Sequence, residues 1–195
     1  MNNSYLKEMY SNAEGKTSLV LLNAKQLKAS VEEISKHLSN ESGMNGMIIS
    51  YSYPSVQFLS EPSVQEINKE NLVFVDLNSG KTGTKKLDGF KVINIENPAN
   101  LTQLEIHLER FLKADKKPKF VLFESVSALS VYVKSKALQK FIYFLNNKIS
   151  LEGGTLIILT VKDSIKAESL ELVKQFSDKT YDFSEIFTAD VEALI

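Results

Sequence analysis

The stretch from Lys119 to Ser164 constrains this chain more than any other. Its first strand holds four consecutive bulky apolar residues, Phe120-Val121-Leu122-Phe123, followed by Glu124-Ser125. A continuous apolar run of this kind, rather than an in/out alternation, is what a strand needs when both of its faces are covered. A Ser/Ala/Leu stretch follows, and then an amphipathic helix from about Lys134 to Leu151. Leu138, Phe141, Ile142, Leu145 and Ile149 recur at helical spacing on one face, and Lys134, Lys136, Gln139, Lys140 and Lys148 take the other. Gly153-Gly154 stops the helix, and a second apolar strand runs from Thr155 to Val161. Strand, helix and strand at these lengths make a crossover unit with parallel strands. An acid at the tip of a buried strand is a common place for chemistry in such folds.

The remainder repeats the alternation. Further strands are expected at Ser18–Leu22, Met47–Tyr51, Leu72–Val75 (ending in Asp76), Phe90–Ile95 and Thr180–Phe183. Between the first two, Leu27, Val31, Ile34 and Leu38 mark a helix, with Asn23 as N-cap and Gln26 closing a capping box. Residues 40–46 form a turn carrying Gly43 and Gly46. Pro54 can open a short helix, which Pro62 interrupts or restarts before Val64 and Ile67. Residues 77–89, rich in Gly, Lys and Thr, form a long loop. A helix runs from Leu101 to Leu112, and another covers Leu170–Phe176. The pattern predicts an α/β fold, a three-layer α/β/α sandwich with a mostly parallel central sheet, in which the strands ending at Leu22 and Glu124 lie near the middle. With 195 residues one domain is expected, its core spanning about 18–183, with a short N-terminal helix and a helical tail from Ser184 in the flanking extensions.

Composition narrows the function classes. A net charge of -1 with interspersed charges gives no basic surface to suggest nucleic acid or anionic lipid. The absence of Cys removes disulfides and thiolate metal sites. His37 and His107 are the only histidines, and each stands alone on a predicted helix, so no metal is expected. No apolar run approaches 18 residues and the first residues hold no apolar leader, so the chain is expected to be cytoplasmic and not to span a membrane.

The order of elements resembles the RecA/KaiC-like branch of the P-loop ATPases. The strongest likeness runs from Phe120 to Phe183. There an apolar strand ending in acid-Ser (Glu124-Ser125) leads to a long helix, Leu151-Glu152-Gly153-Gly154-Thr155, an apolar strand, a helix rich in Glu and Leu, and the terminal strand Thr180-Tyr181-Asp182-Phe183. The resemblance implies a Walker B position at Glu124 and Ser125, where the family carries Asp-Ser. It also implies a phosphate loop, G-x-x-x-x-G-K-[ST], between the first strand and the first helix, its backbone wrapping the phosphates. The corresponding window is Asn23-Ala24-Lys25-Gln26-Leu27-Lys28-Ala29-Ser30. Asn23 and Lys28 stand at the glycine positions, Ala29 stands at the lysine, and only Ser30 fits. The window is therefore expected to be a degenerate Walker A, of the kind found in archaeal relatives that keep the scaffold without the loop. Gly15-Lys16-Thr17 precedes a strand, and Gly80-Lys81-Thr82 has Val75 where the first glycine belongs, so neither replaces it.

These residues lead to the expectation of a module without catalytic residues or cofactor, serving regulation or assembly through a protein partner or self-association. The alternative is an ATPase using an atypical loop at 77–89, with Lys81, Lys85 or Lys86 on the phosphates. A third reading makes Asp76 a phosphoacceptor, but that chemistry calls for an acidic pair after the first strand, where Asn23-Ala24 stand.

Overall fold

The computed structural model describes residues 15–185 together with Met9 and Ala13. Almost all of the expected N-terminal helix, and the tail beyond residue 185, lie outside the described residues. In chain order the elements are β1 (Thr17–Leu22), α1 (Leu27–Lys36, continued by a π-helical turn, His37–Glu41), β2 (Asn45–Ser50), α2 (Ser55–Leu59), α3 (Pro62–Gln65) and β3 (Leu72–Asp76). There follow β4 (Gly83–Leu87), β5 (Phe90–Asn94), α4 (Leu101–Leu112), β6 (Lys119–Glu124), α5 (Val126–Tyr132), α6 (Ser135–Leu151), β7 (Thr155–Val161), α7 (Ala167–Gln175) and β8 (Lys179–Asp182). The strands form one sheet in the order β4-β5-β3-β2-β6-β7-β1-β8, parallel throughout except for the β4–β5 pair.

Two apolar layers sandwich the sheet. On one face Val20, Leu22, Ile48, Phe74, Phe120, Leu122 and Ile157 pack under α1, α2 and α3. On the other Leu19, Met47, Val75, Phe123 and Ile158 pack under α4, α5, α6 and α7. The stripe expected of α6 is the stripe found: Leu138, Phe141, Ile142, Leu145 and Ile149 are all buried.

Sequence and structure part at four places. β1 is not near the middle of the sheet but next to its edge, between β7 and β8, whereas β6 is central between β2 and β7. Gly46 belongs to β2 rather than to the preceding turn. Its missing side chain is what admits Phe120: a Cβ there would stand 2.1 Å from the Phe120 ring. The Ser/Ala/Leu stretch after Glu124 is a helix, α5, capped by Ser125. Finally, residues 83–87 are not loop but the antiparallel edge strand β4, joined to β5 by the two-residue turn Asp88-Gly89, both at positive φ. The Lys85-Lys86 pair sits on this edge, where lysines discourage pairing with another chain.

Two substitutions test the packing. Phe141→Ala should destabilise the chain by about 3–5 kcal/mol in urea unfolding, while Lys140→Ala should change it by less than about 0.5 kcal/mol. Gly46→Ala should cost about 1–3 kcal/mol by displacing the Phe120 ring, although alanine is otherwise acceptable in a strand.

Candidate functional site

The carboxyl ends of four neighbouring strands form a buried polar row. Parallel register places Glu124 of β6 beside Ser50 of β2, Ser50 beside Asp76 of β3, and Asp76 beside Asn94 of β5. None of the four is more than 4% exposed. Adjacent residues in register share a face, and here it is the face covered by α1, α2 and α3. On this face of the sheet the residues that precede the row, Leu122, Ile48, Phe74 and Val92, are apolar and buried, so the polar groups appear where the strands end.

Glu124 holds the loop after β2. Its Oε2 lies 2.9 Å from Ser50 Oγ and accepts the Ser52 N–H at 3.3 Å, while Oε1 is sealed in with no partner. Ser50 Oγ also accepts the Tyr53 N–H at 3.1 Å and lies 3.0 Å from the Tyr53 carbonyl oxygen. One hydroxyl proton cannot serve both that carbonyl and the carboxylate. If Glu124 is protonated it donates to Ser50 Oγ, which frees the Ser50 proton for Tyr53 and leaves only Oε1 without a partner among the described residues. Burial acts in the same direction: it raises the Glu124 pKa above its ordinary value of 4.5, against the lowering effect of the hydrogen bonds from the 50–52 segment.

Asp76 is committed elsewhere. Its Oδ2 accepts the Ser55 N–H at 2.7 Å, at the start of α2, and its Oδ1 accepts the Asn78 N–H at 2.8 Å. Fully buried and bonded to backbone through both oxygens, it presents no accessible phosphoacceptor. Glu124 and Asp76 are separated by β2, two strand spacings or about 10 Å. Among the described residues no three His, Asp or Glu side chains come close enough to hold a metal ion.

At the end of β1 the chain folds into a capping box. The Asn23 N–H donates to Gln26 Oε1 at 2.8 Å, and Asn23 Oδ1 accepts the N–H groups of Lys25 and Gln26, each at 3.1 Å. The two amide side chains also donate to the residues just after β8, Gln26 Nε2 to the Phe183 carbonyl at 3.0 Å and Asn23 Nδ2 to that of Ser184 at 3.3 Å. A tight turn through Gln26 thus precedes the regular helix, which begins at Leu27 rather than near Ala24. Lys28 pairs with Glu61 at the start of α3, Ala29 is half-buried, and Ser30 is buried. No hydrogen bond or ion pair links Asn23, Lys28 or Ser30 to Glu124 or Ser125 among the described residues. Ser125 is occupied in its own helix cap: its Oγ accepts the Ala128 N–H at 3.2 Å and lies 2.8 Å from Ser127 Oγ, which accepts the Val161 N–H at 3.4 Å.

The lysines of the 77–89 segment stand apart from both places. β4 is six strand spacings from β1, about 29 Å, and four from β6, about 19 Å. His37 pairs with Glu41 at 2.7 Å, and His107 lies on α4 near the opposite, amino-terminal edge of the sheet. The apolar run ending at Tyr51 marks the end of β2 in the sequence, but nothing local links Ser50 or Ser52 to Glu124. The missing signal was register, which follows only once β2 and β6 are known to be neighbours.

The raised pKa of Glu124 gives a signed prediction. Between the unfolded value near 4.5 and the higher folded value, the native chain retains a proton that the unfolded chain has released. Stability contributed by this group is therefore present below about pH 4.5 and is lost as pH rises through the folded value. Glu124→Gln, which copies the protonated form, should remove that loss. Urea unfolding from pH 4 to 8 should show the variant gaining stability relative to the parent as pH rises; a constant difference between the two would contradict the neutral-carboxyl network.

No family model matches the chain, and no curated protein is significantly similar to it in sequence. Solved structures are similar in fold. A KaiC-like protein from the hyperthermophilic archaeon Pyrococcus horikoshii OT3 has a TM-score of 0.64 at 14% identity, over 87% of this chain and 73% of that one. A second Pyrococcus horikoshii OT3 protein has a TM-score of 0.59 at 13% identity, over 93% and 88% of the two chains. At these identities the likeness is one of backbone path, and function must be argued from the site. The chain has a KaiC-like α/β fold, with an eight-stranded, mostly parallel sheet between two helical layers.

Proposed function

We propose that this chain is a non-catalytic RecA/KaiC-like module, cytoplasmic, that acts in regulation or assembly by binding a protein partner or another copy of itself. Asn23, Lys28, Ala29 and Ser30 would be the remnant of a phosphate loop, and Glu124 and Ser125 the remnant of a Walker B strand end. The observation that carries this reading is the capping box. A phosphate loop works by aiming free backbone N–H groups at the anion. Here the N–H groups of Lys25 and Gln26 are taken by Asn23, and both box side chains are tied to the backbone just after β8. Lys28, next to the Ala29 position, is paired with Glu61, and the carboxyl of Glu124 is fully buried and bonded to the 50–52 segment, which leaves it badly placed to hold magnesium. Among the described residues no helix is long and apolar enough to cross a membrane.

The alternative, an ATPase built on the 77–89 segment, gains no support from the fold, because residues 83–87 of that segment are the edge strand β4. Calorimetric titration with ATP and magnesium separates the two. The expected result is no saturable heat at ATP concentrations up to about 1 mM, which corresponds to a binding free energy weaker than about -4 kcal/mol. Saturable binding lost on mutating Asn23, Lys25, Lys28 or Ser30 would overturn the proposal. Binding lost only on mutating Lys81 or Lys85 would establish the alternative.

A further inference from the structure

The amino-terminal edge of the sheet, opposite the polar row, carries a cavity of about 360 Å³ between α4 and the β4–β5 hairpin. Its construction follows from two periodicities. Met47, Val73 and Lys91 stand in register in one cross-strand row, and Ile93 and Thr84 stand in register in the next. On α4, His107, Arg110, Phe111 and Ala114 follow at i, i+3, i+4 and i+7, a single face of the helix and the turn that ends it. The floor is thus apolar, from Met47, Val73, Ile93 and Phe111, and the rim carries Lys91, His107 and Arg110. The volume lies within the range of small-molecule sites, which pair apolar walls with a few convergent polar groups.

The charges around this cavity are unbalanced in a particular way. Lys119 is already spent on Asp115, at 3.0 Å, and Asp115 also accepts from Asn45 Nδ2 at 2.8 Å. Lys91 and Arg110 have no ion pair among the described residues, and the remaining acid on the rim, Glu70, pairs with neither. Lys91 moreover faces Lys86 directly across the β4–β5 ladder, a like-charge arrangement that destabilises a sheet unless something neutralises it. Both cations bear on His107: burial lowers its pKa below 6.5, and Arg110 and Lys91 push it further down. An apolar floor beneath uncompensated cations is complementary to one kind of ligand.

We propose that this groove binds a small organic oxyanion, a phosphate or carboxylate head on a flat apolar body, with the head against Lys91, Arg110 and His107 and the body on Val73, Ile93 and Phe111. Binding takes up a proton. An anion beside His107 offsets the two cations that disfavour the imidazolium, so the ligand binds more tightly when His107 is charged. The other charged groups around the groove are Glu70, the Asp115–Lys119 pair and Lys86 across the ladder from Lys91. This site is independent of the β1–α1 turn, and gives a module of the proposed kind a small-molecule input.

The chain's two histidines make the test direct, since His37 lies on the extension of α1, which covers the other face of the sheet, and serves as the internal control. The probe is benzenesulfonate, whose charge is constant throughout a histidine titration, with sulfate as the head without the body. Histidine ring resonances are followed by NMR from pH 4.5 to 8.5. Saturating benzenesulfonate should raise the His107 pKa by about one pH unit, equivalent to about tenfold tighter binding to the imidazolium, and leave His37 in place. Sulfate should give a smaller rise at the same concentration. In the exposed-site double variant Lys91→Ala/Arg110→Ala, the His107 pKa of the free protein should rise, because its cationic neighbours are gone, and its response to benzenesulfonate should disappear. An absent response in the parent chain, an equal response at both histidines, an equal response to sulfate, or one that survives the double variant would each overturn the assignment.

Discussion

β6 is buried from Lys119 to Glu124, and the rest of the molecule is arranged around what that burial permits. A strand covered on both faces cannot hold a polar side chain along its length without a partner, so its polar groups collect at its ends. Its neighbours β2 and β7 are buried almost as completely. In parallel strands the ends fall together. The result is a polar row at one edge of the sheet, Glu124–Ser50–Asp76–Asn94, and a charged cluster at the other, where Lys119 meets Asp115. Gly46 belongs to the same constraint, since the ring of Phe120 takes the space beside it.

At the carboxyl edge, backbone N–H groups decide what each loop does. A helix start leaves several such donors without partners, and they can be aimed at an anion or bonded within the chain. This chain bonds them within itself repeatedly. Asn23 takes those of Lys25 and Gln26, Asp76 takes that of Ser55, and Ser125 takes that of Ala128. Glu124 draws in the Ser52 N–H in the same manner. Asn23, Asp76 and Glu124 are thus all engaged in holding loops.

Much of this was legible in the sequence. Continuous apolar strands alternating with 3.6-period helices give the three-layer parallel sandwich, and the stripe from Leu138 to Ile149 identifies the buried face of α6 residue by residue. The Asn23/Gln26 box was legible because it is local, three residues apart. What escaped was either hidden by composition or non-local. β4 has the sequence Gly-Thr-Lys-Lys-Leu, which looks like loop because an edge strand tolerates lysines; the Asp88-Gly89 pair was the available hairpin signal. The place of β1 beside the edge, and the pairing of Ser50 with Glu124, depend on strand order, which no local pattern encodes. The groove under α4 was invisible for the same reason: Lys91, His107 and Arg110 come from a strand and a helix whose proximity only the fold establishes.

The central claim is that the turn after β1 is closed by its own side chains. Backbone ¹⁵N–¹H resonances of Lys25 and Gln26 report on that turn directly. On addition of millimolar ATP with magnesium the account predicts that both stay in place, as amides already held by Asn23 should. Saturable displacement of either resonance, with Asn23 released from its bonds, would show that the turn opens to receive phosphate and would contradict the account.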